Sequence, residues 1–381
     1  MEFARSRGRW TTAMIVVAVV ALCLVSVTQR GPEASAATGE VTIGVIGDYG
    51  ANNSRADAAA ALVRGWSPDH IVTTGDNMYG TPSSVTGTDK FDLTVGRLFC
   101  GYMRGSAPGS RCPSGGTSPV NRFFPATGNH DYSDSGTNSG AVYEQYFNLP
   151  GAGATSTHPT GSDLYYDVVL GPVHVFVIDS EGALRSSAFM QQQRSWLQQA
   201  VAASTAPWQV VAMHDPPYSS GPYGNATQFQ WPYASWGVDM VLAGHAHVYE
   251  RVQRDGIPYL TVGLGGASRY DFGTPVQGSV VRFNSDEGAV RLHASDTTLR
   301  LQMITVGGVT VDDHTVTRTA PPTSTTTSPA STTSTTTTAP PGATTRVGVI
   351  GDYGWNHPIT SQLANLVRAW SPDYVVTAEA T

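Results

Sequence analysis

Five short apolar segments of this sequence each end in a turn made of metal-binding or catalytic residue types. A helical pattern of apolar residues also runs over Ser187–Ala203. Strands that alternate with helices and end in polar residues predict an α/β fold with its site at one sheet edge. Hairpin-like alternation from residue 164, and again over 259–317, predicts antiparallel strands and a second sheet packed on the first. The five segments are 41–46 before GDYG, 70–74 before GDNMY, 123–127 before GNHD, 208–213 before HD and 239–243 before GHAH.

The polar residues at these strand ends are of the types that bind hard metal ions. Taken singly they mean little, because an aspartate after glycine is commonly a turn residue and a single histidine or tyrosine is usually structural. Five such motifs, each after an apolar strand, indicate one shared site. Two hard cations need carboxylate, amide, phenolate and imidazole ligands and an anion that bridges them. Such a pair can bind both the attacking and the leaving oxygen of a phosphoryl displacement. The residues are Asp48, Asp76, Tyr79, Asn129, His130, His214, His245 and His247.

The series GDYG, GDNMY, GNHD, VAMH and GHAH resembles the five signature blocks of the calcineurin-like metallophosphoesterases. GDNMY and GHAHVYER narrow the resemblance to the purple acid phosphatase branch. Most members of the larger family open with Asp-x-His, whereas here Gly50 replaces that histidine and Tyr79 restores the lost ligand. The resemblance, which covers residues 48–247, implies a fold of two packed mixed β-sheets flanked by helices. In that interpretation Tyr49 is a spacer and Gly50 leaves room for the phenolate.

The resemblance also implies which residues hold each of two metal ions. A phenolate among carboxylates favours Fe(III) at the first site, because hard anionic oxygens stabilise trivalent charge. The second ion is iron, zinc or manganese, which the ligand types leave open. The first site would comprise Asp48, Asp76, Tyr79 and His247, and the second Asp76, Asn129, His214 and His245.

His130 lies inside GNHD and is interpreted as a catalytic residue that contacts phosphate and protonates the leaving oxygen. The resemblance assigns Asp131 the role of orienting and charging this imidazole. The alternative is a histidine that only supports Asn129. The segment after VAMHD, PPYSSGPYGNATQFQ, contains no histidine of the kind that many family members use to contact substrate. Tyr223 and Asn225 are the neighbours that this segment offers instead.

The predicted function is an exported phosphatase that hydrolyses small phosphomonoesters by attack of metal-bound hydroxide. A phosphodiesterase or nucleotidase could use the same metal core, so both stay open. From another class, the chain could be a catalytically silent surface module displayed on a stalk. The net charge of −7 argues against a nucleic-acid partner. Oligomeric state is left open.

The N-terminal segment 1–37 has the features of a signal peptide. Arg5, Arg7 and Arg9 precede an apolar run over 11–27, and Ala34-Ser35-Ala36 forms a cleavage pattern. The prediction is therefore a secreted protein, with an uncleaved membrane anchor facing outside as the alternative. Outside the cytosol, Cys100 and Cys112 are expected to form a disulfide, although two free thiols are the other possibility.

The rest of the chain divides into a metallophosphoesterase domain over 38–318, a Thr/Ser/Pro-rich linker over 319–345 and a partial repeat over 346–381. The linker composition cannot bury enough apolar surface to offset ordering entropy. In the repeat, Gly348 to Gly354 reproduce Gly44 to Gly50 residue for residue. One strand, one helix and a second strand cannot close a core alone, so the repeat is interpreted as truncated.

Overall fold

Two mixed β-sheets form the framework of the fold in the computed structural model, which describes residues 39–319 and the strands at 347–351 and 374–378. The strands are β1 (Val41–Ile46), β2 (His70–Thr73), β3 (Phe123–Pro125), β4 (Tyr166–Leu170), β5 (Val173–Val177), β6 (Trp208–Ala212), β7 (Met240–Ala243), β8 (Tyr249–Arg254), β9 (Ile257–Val262), β10 (Ser279–Phe283), β11 (Gly288–Ala294), β12 (Thr298–Thr305) and β13 (Thr310–Thr317). The first sheet has the order β13-β12-β11-β1-β2-β3, and the second has the order β10-β8-β9-β7-β6-β5-β4. The predicted two-sheet α/β fold is confirmed.

The helices of this part of the chain are short, apart from two. They are α1 (Ser54–Gly65), α2 (Asp89–Phe91), α3 (Arg97–Phe99), α4 (Asn129–Ser133), α5 (Ala141–Tyr146), α6 (Ser180–Arg185), α7 (Ser187–Ala203) and α8 (Tyr233–Trp236). A π-helical turn, Asp92–Gly96, joins α2 to α3, and 3₁₀ turns occupy Cys100–Tyr102 and Thr227–Phe229. Among the described residues, no helix is both long and apolar enough to cross a membrane.

Alternation along the strands builds three apolar layers. In β2 and β3, Val72 and Phe124 point into the layer between the two sheets, whereas Phe123 faces the layer on the outer side of the first sheet. In β6, Val210 faces the shared layer and Val211 the outer side of the second sheet. Each fully buried side chain of this kind contributes about 1.5–3 kcal/mol relative to an exposed one. The side-chain period of two therefore fixes which residues reach the core.

The two long helices begin at side-chain caps and bury one face each. The Asn53 side chain accepts a hydrogen bond from the Ala56 amide at the start of α1, and Ser186 caps α7 in the same way. The predicted helix over Ser187–Ala203 is confirmed. Its buried face includes Gln193, which bonds to both the amide and the carbonyl of Asp179, at 2.9 Å each. These two hydrogen bonds fix the turn that follows β5.

Parallel pairing brings the carboxyl ends of the motif-bearing strands together within each sheet. β1 pairs with β2 and β2 with β3, all in parallel. In the second sheet β6 pairs in parallel with β7. The turns that follow these strands consequently lie at the same sheet edges, as the sequence predicts.

A disulfide closes the loop that follows α3. Cys100 and Cys112 are bonded, with their Cα atoms 5.6 Å apart, so the predicted pairing is confirmed and the free-thiol alternative is wrong. The buried Asp92 carboxylate accepts hydrogen bonds from the amides of Arg111 at 2.6 Å and Cys112 at 3.0 Å. The loop is thus held by a covalent bond and by two backbone contacts.

We expect the double variant Cys100→Ser/Cys112→Ser to unfold with a free energy about 3 kcal/mol lower than the parent, because opening a loop of this length restores entropy to the unfolded chain. Urea denaturation of both proteins at the same metal content measures the difference. A matched comparison is the parent protein unfolded with a thiol reductant present. Equal unfolding midpoints for variant and parent would show that the backbone contacts of Asp92 alone hold the loop.

The chain divides into two compact units, Met1–Pro321 and Pro322–Thr381. In the second unit, β14 (Val347–Gly351) pairs in parallel with β15 (Tyr374–Ala378). Val347 pairs with Tyr374 in the second unit, and Ile43 pairs with His70 at the matching positions of the first unit. The two copies therefore share the same strand register. The signal segment, nearly all of the linker and the middle of the repeat lie outside the described residues, so those domain assignments stay predictions.

Candidate metal centre

Six of the predicted metal ligands form two clusters of three donor atoms each, and the seventh, Asp76, lies between the clusters. In the first cluster the Tyr79 hydroxyl lies 3.4 Å from Asp48 Oδ1 and 3.1 Å from His247 Nε2. His247 Nε2 lies 3.4 Å from Asp48 Oδ1. One carboxylate, one phenol and one imidazole therefore point at a common space, although they come from three separate turns.

The second cluster has one amide and two imidazoles. Asn129 Oδ1 lies 3.0 Å from His214 Nε2 and 3.0 Å from His245 Nδ1. The two ring nitrogens are 3.2 Å apart. These three atoms come from the turns after β3, β6 and β7.

Asp76 stands between the two clusters. Its Oδ1 lies 3.5 Å from His214 Nε2 of the second cluster. Donor atoms of Asp48, Asp76 and His214 all lie within 4.8 Å of one another, and all three residues are buried. This is the position that a bridging carboxylate would occupy.

Backbone carbonyls fix the tautomers of two of the histidines. His214 Nδ1 donates a hydrogen bond to the Thr74 carbonyl at 2.8 Å, and His247 Nδ1 donates to the Ser268 carbonyl at 2.6 Å. In the neutral rings the Nε2 lone pairs then face the clusters, which is how metal-binding histidines are commonly oriented. The donor set is thus pre-oriented for cations.

The electrostatics of the metal-free site show that it stabilises positive charge. Burial lowers the pKa of His214, but the charges of Asp76, Asp48 and Asp215 outweigh burial and raise it to about 9. Burial and the neighbouring His214 lower the pKa of His245 to about 4. The carboxylates therefore favour positive charge on the buried His214, and a metal ion would supply such charge more fully.

Burial and the nearby carboxylates also act on the acidic groups. Burial raises the pKa of Asp76, and the charge of Asp48 adds to this effect. The pKa of Tyr79 is raised well above its usual value by burial and then by the charges of Asp76 and Asp48. A phenolate at Tyr79 consequently requires a cation at its oxygen.

Three of the candidate ligands occupy left-handed backbone conformations. The φ angles are 56° at Asp48, 52° at Asp76 and 66° at His245. Such conformations cost a non-glycine residue on the order of 1 kcal/mol or more and are concentrated at functional sites. Here they turn each side chain back towards the donor clusters at the end of its strand.

The Asp131 carboxylate is wholly occupied in joining two of the turns. It accepts hydrogen bonds from the Gly128 amide at 2.8 Å, from Asn77 Nδ2 at 2.7 Å and from the Met78 amide at 3.1 Å. Burial, followed by the charge of Asp76, raises the pKa of Asp131 to about 8. The prediction that Asp131 orients and charges the His130 imidazole is therefore wrong, because its oxygens bind the GNHD and GDNMY turns instead.

His130 pairs with a different aspartate, Asp134, which is the C-cap residue of α4. His130 Nδ1 lies 2.7 Å from Asp134 Oδ2, while the His130 amide donates to Asp76 Oδ1 at 2.9 Å. The imidazole also packs against the Tyr79 ring, with centroids 4.3 Å apart. His130 therefore borders the first cluster while its side chain keeps about a third of its surface exposed. Sequence reasoning missed Asp134, although its four-residue spacing from His130 was a signal.

The first turn is packed differently from the sequence interpretation. Tyr49 is a buried core residue: its hydroxyl donates to Asn77 Oδ1 at 2.9 Å and its ring contacts Phe99. A Cβ atom on Gly50 would come within 2.3 Å of the Met78 backbone. Tyr49 is thus more than a spacer, and Gly50 makes room for the backbone of the GDNMY turn rather than for the Tyr79 ring.

The two neighbours predicted from the segment after VAMHD have different environments. Tyr223 stacks on the His245 ring at a centroid distance of 4.3 Å, so it lies at the site. Asn225 Oδ1 instead accepts a hydrogen bond from the Ser219 amide at 2.9 Å and closes its own loop. A tyrosine that the sequence analysis missed, Tyr270, stacks on His247 at 4.2 Å. Its segment lies after β9 and carries no motif that points to it.

The end of GHAHVYER is structural. Glu250 is fully buried and accepts hydrogen bonds from Ser220 and Ser279. Arg251 and Tyr249 both donate to the Asp312 carboxylate on β13, at 2.7 and 2.6 Å. These contacts tie the second sheet to a strand of the first.

The chain belongs to the calcineurin-like phosphoesterase family, whose family model matches residues 41–249. It is similar to purple acid phosphatase 15 of Arabidopsis thaliana, with 28% identity over 248 residues that cover 59% of this chain and 44% of that protein. The chain thus spans less than half the length of that relative. The predicted resemblance is confirmed.

Solved structures support the fold. Purple acid phosphatase PPD1 from yellow lupin superposes with a TM-score of 0.58 at 16% identity, covering 74% of this chain and 55% of that one. GAP50, the anchor in the inner membrane complex of Plasmodium, gives a TM-score of 0.55 at 14% identity, covering 74% and 90%. Because one fold carries a phosphatase and an anchor, the fold alone does not determine function.

Proposed function

We propose that this chain is an exported, acid-phosphatase-like phosphomonoesterase with a two-metal centre. The observation that carries the proposal is the pair of three-donor clusters flanking the buried carboxylate of Asp76. Oxygen-rich donors in one cluster suit Fe(III), and the imidazole-rich second cluster suits iron, zinc or manganese. When bound, the two ions would polarise the phosphate and lower the pKa of water towards about 7.

The chain's own residues divide the remaining work. The Asp48 and Asp76 carboxylates, both shielded from solvent, balance positive charge at the centre. His130, at the rim of the first cluster, is placed to donate a proton to the leaving alcohol oxygen. Asp134 holds the other ring nitrogen of His130, so it fixes the ring orientation and stabilises the ring when it carries the proton. The phosphorus–oxygen bond to the alcohol then breaks and the alcohol leaves neutral, while water supplies the new oxygen on phosphorus.

Metal analysis together with an ester assay tests this function. We expect the purified chain to contain two metal ions, to absorb visible light and to hydrolyse p-nitrophenyl phosphate faster than bis(p-nitrophenyl) phosphate. A preference for the bis ester would favour the phosphodiesterase alternative. Two bound metals without turnover of either ester would favour the silent surface module.

The disulfide supports export, because such bonds persist in oxidising compartments. N-terminal sequencing of the mature protein, recovered from culture medium or membranes, tests it. A start just after residue 36 or 37 in the medium supports secretion. An intact N-terminus in the membrane fraction would support the anchored alternative instead.

We expect Tyr79→Phe to remove the visible absorption band and weaken binding of the first metal, because the Tyr79 hydroxyl is the phenol that lies within 3.4 Å of Asp48. The fold should persist, since the ring and its contact with His130 remain. The spectrum and the metal content of the purified variant measure both effects.

Tyr49→Phe is the matched control, because Tyr49 is a buried tyrosine of the same region whose hydroxyl bonds to Asn77 rather than to a ligand carboxylate. It should keep the band. A Tyr79→Phe protein that retains the parent spectrum would contradict the assignment of Tyr79 to the metal centre.

A further inference from the structure

Two tyrosine rings cover the outward-facing histidines of the metal centre. Tyr223 stacks on His245, with ring centroids 4.3 Å apart and planes inclined at 28°. Tyr270 stacks on His247 at 4.2 Å and 11°. The tyrosine pair, Tyr223 and Tyr270, thus contacts one histidine of each donor cluster.

The members of the tyrosine pair also contact each other. Their hydroxyls are 3.2 Å apart, and their rings meet edge to face with centroids 5.7 Å apart. Tyr223 nevertheless keeps 57% of its surface exposed. Its ring lies directly against a candidate ligand and is open to solvent, so an aromatic group of a bound molecule could contact it.

A buried carboxylate holds the loops that carry the pair. Glu250 accepts hydrogen bonds from the amide and the hydroxyl of Ser220, both at 2.6 Å. Ser220 in turn bonds to the loop between β9 and β10, which carries Tyr270. The Ser220 carbonyl accepts a hydrogen bond from the Gly273 amide at 2.7 Å, and the Ser220 hydroxyl accepts one from the Val276 amide at 2.9 Å. Both loops are therefore fixed to one point on β8, which holds together the segments that carry the two rings.

We propose that the tyrosine pair forms a leaving-group site that favours phosphomonoesters whose alcohol carries a planar aromatic ring, either an aryl or arylmethyl phosphate or a nucleotide. This inference rests on the proposed phosphatase function and names its substrate class. A phosphate held at the donor clusters would lie beside the rings that cover His245 and His247, and in this proposal its leaving group extends along the exposed ring of Tyr223. Offset or edge contacts between aromatic rings favour such a group over an aliphatic one of equal size.

Benzyl phosphate and cyclohexylmethyl phosphate make the sharpest test, because they match in size and in the chemistry of the leaving oxygen and differ in aromaticity. We expect the parent to prefer the benzyl ester by about five-fold in kcat/KM. Tyr223→Leu, which keeps apolar surface without a π-system, should abolish this preference, whereas Tyr223→Phe should keep it. AMP against ribose 5-phosphate forms the second pair, which reports whether the ring is also recognised one sugar away.

Binding without turnover gives a separate readout. Benzylphosphonate should bind about five-fold more tightly than cyclohexylmethylphosphonate to the parent and to Tyr223→Phe, and equally to Tyr223→Leu, as measured by calorimetry. A ring preference for the benzyl pair alone assigns aryl and arylmethyl esters, and a preference for AMP extends the class to nucleotides. If Tyr223→Leu retains every ring preference of the parent, in turnover and in phosphonate binding, the proposal is overturned. Absence of turnover on all esters would defeat the phosphatase function instead and leave the phosphonate comparison to decide on the tyrosine pair.

Discussion

Asp76→Asn is expected to abolish metal loading and to reduce phosphatase activity by more than about 1,000-fold while the metal-free chain keeps or gains stability. Asp76 is the carboxylate between the two donor clusters, so a neutral amide removes the charge that both metals would share. In the metal-free state the same charge is a burden, because burial and Asp48 both disfavour it. An asparagine can still accept the hydrogen bond that the His130 amide donates to Asp76 Oδ1. Function and stability should therefore change in opposite directions.

Metal content, activity and thermal unfolding with and without chelator measure this result. The parent should melt at a higher temperature when loaded, because ions that bind only the folded state stabilise it. The variant should show one melting temperature under both conditions. If Asp76→Asn binds two metals and turns over like the parent, Asp76 is no bridge.

Asp131→Asn provides the matched control, since Asp131 is equally buried but accepts three hydrogen bonds from the turn backbone and Asn77. An asparagine has only one side-chain oxygen, so its NH₂ group must face one of the N–H donors that Asp131 satisfies. The free energy of unfolding should therefore fall by about 1–3 kcal/mol with or without metal. The two aspartates thus separate a carboxylate that serves metal binding from a carboxyl group that serves folding through its hydrogen bonds. That separation is invisible in the motifs GDN and NHD themselves.

The strands that lead to the site, and the residues that gather there as candidate metal ligands, could be predicted from the sequence because both rest on local rules. Apolar runs such as Val41–Ile46 define buried strands by themselves, and each is followed by a candidate ligand within a few residues. Ligand chemistry also restricts the residue types, so Asp48, Tyr79 and His247 stand out before their distances are known. Parallel pairing then brings the strand ends together without further information.

Contacts made by ordinary residues between distant segments could not be predicted in this way. Tyr49 and Asp131 both lie within motifs, but the motifs do not show that their partners belong to the GDNMY turn, whose backbone packs against Gly50. Tyr270 has no strand end or motif beside it and reaches His247 only through the loop that Glu250 and Ser220 hold in place. Such roles depend on three-dimensional closure, which residue spacing does not encode.

His130→Ala should retain both metals but lose about 10²–10⁴-fold in rate on alkyl phosphates, whose leaving oxygens need a proton, and much less on p-nitrophenyl phosphate. The reason is that His130 borders the site without joining either donor cluster, so its loss removes a proton donor and no ligand. Rates across a series of leaving groups measure this, and the slope of log kcat/KM against the pKa of the leaving alcohol should steepen. A uniform loss across the series would indicate phosphate binding instead of proton donation.

Asp134→Asn should reproduce the steeper slope with a smaller loss of about ten-fold, because an amide can still orient the ring but does not stabilise its charge. Asp131→Asn should leave the slope unchanged, since its oxygens face the Gly128, Met78 and Asn77 donors rather than the imidazole. A steeper slope in Asp131→Asn with a parental slope in Asp134→Asn would reverse the pairing derived from the 2.7 Å contact between His130 and Asp134. Because both aspartates lie in the same five-residue stretch, this comparison tests the side-chain geometry rather than the motif.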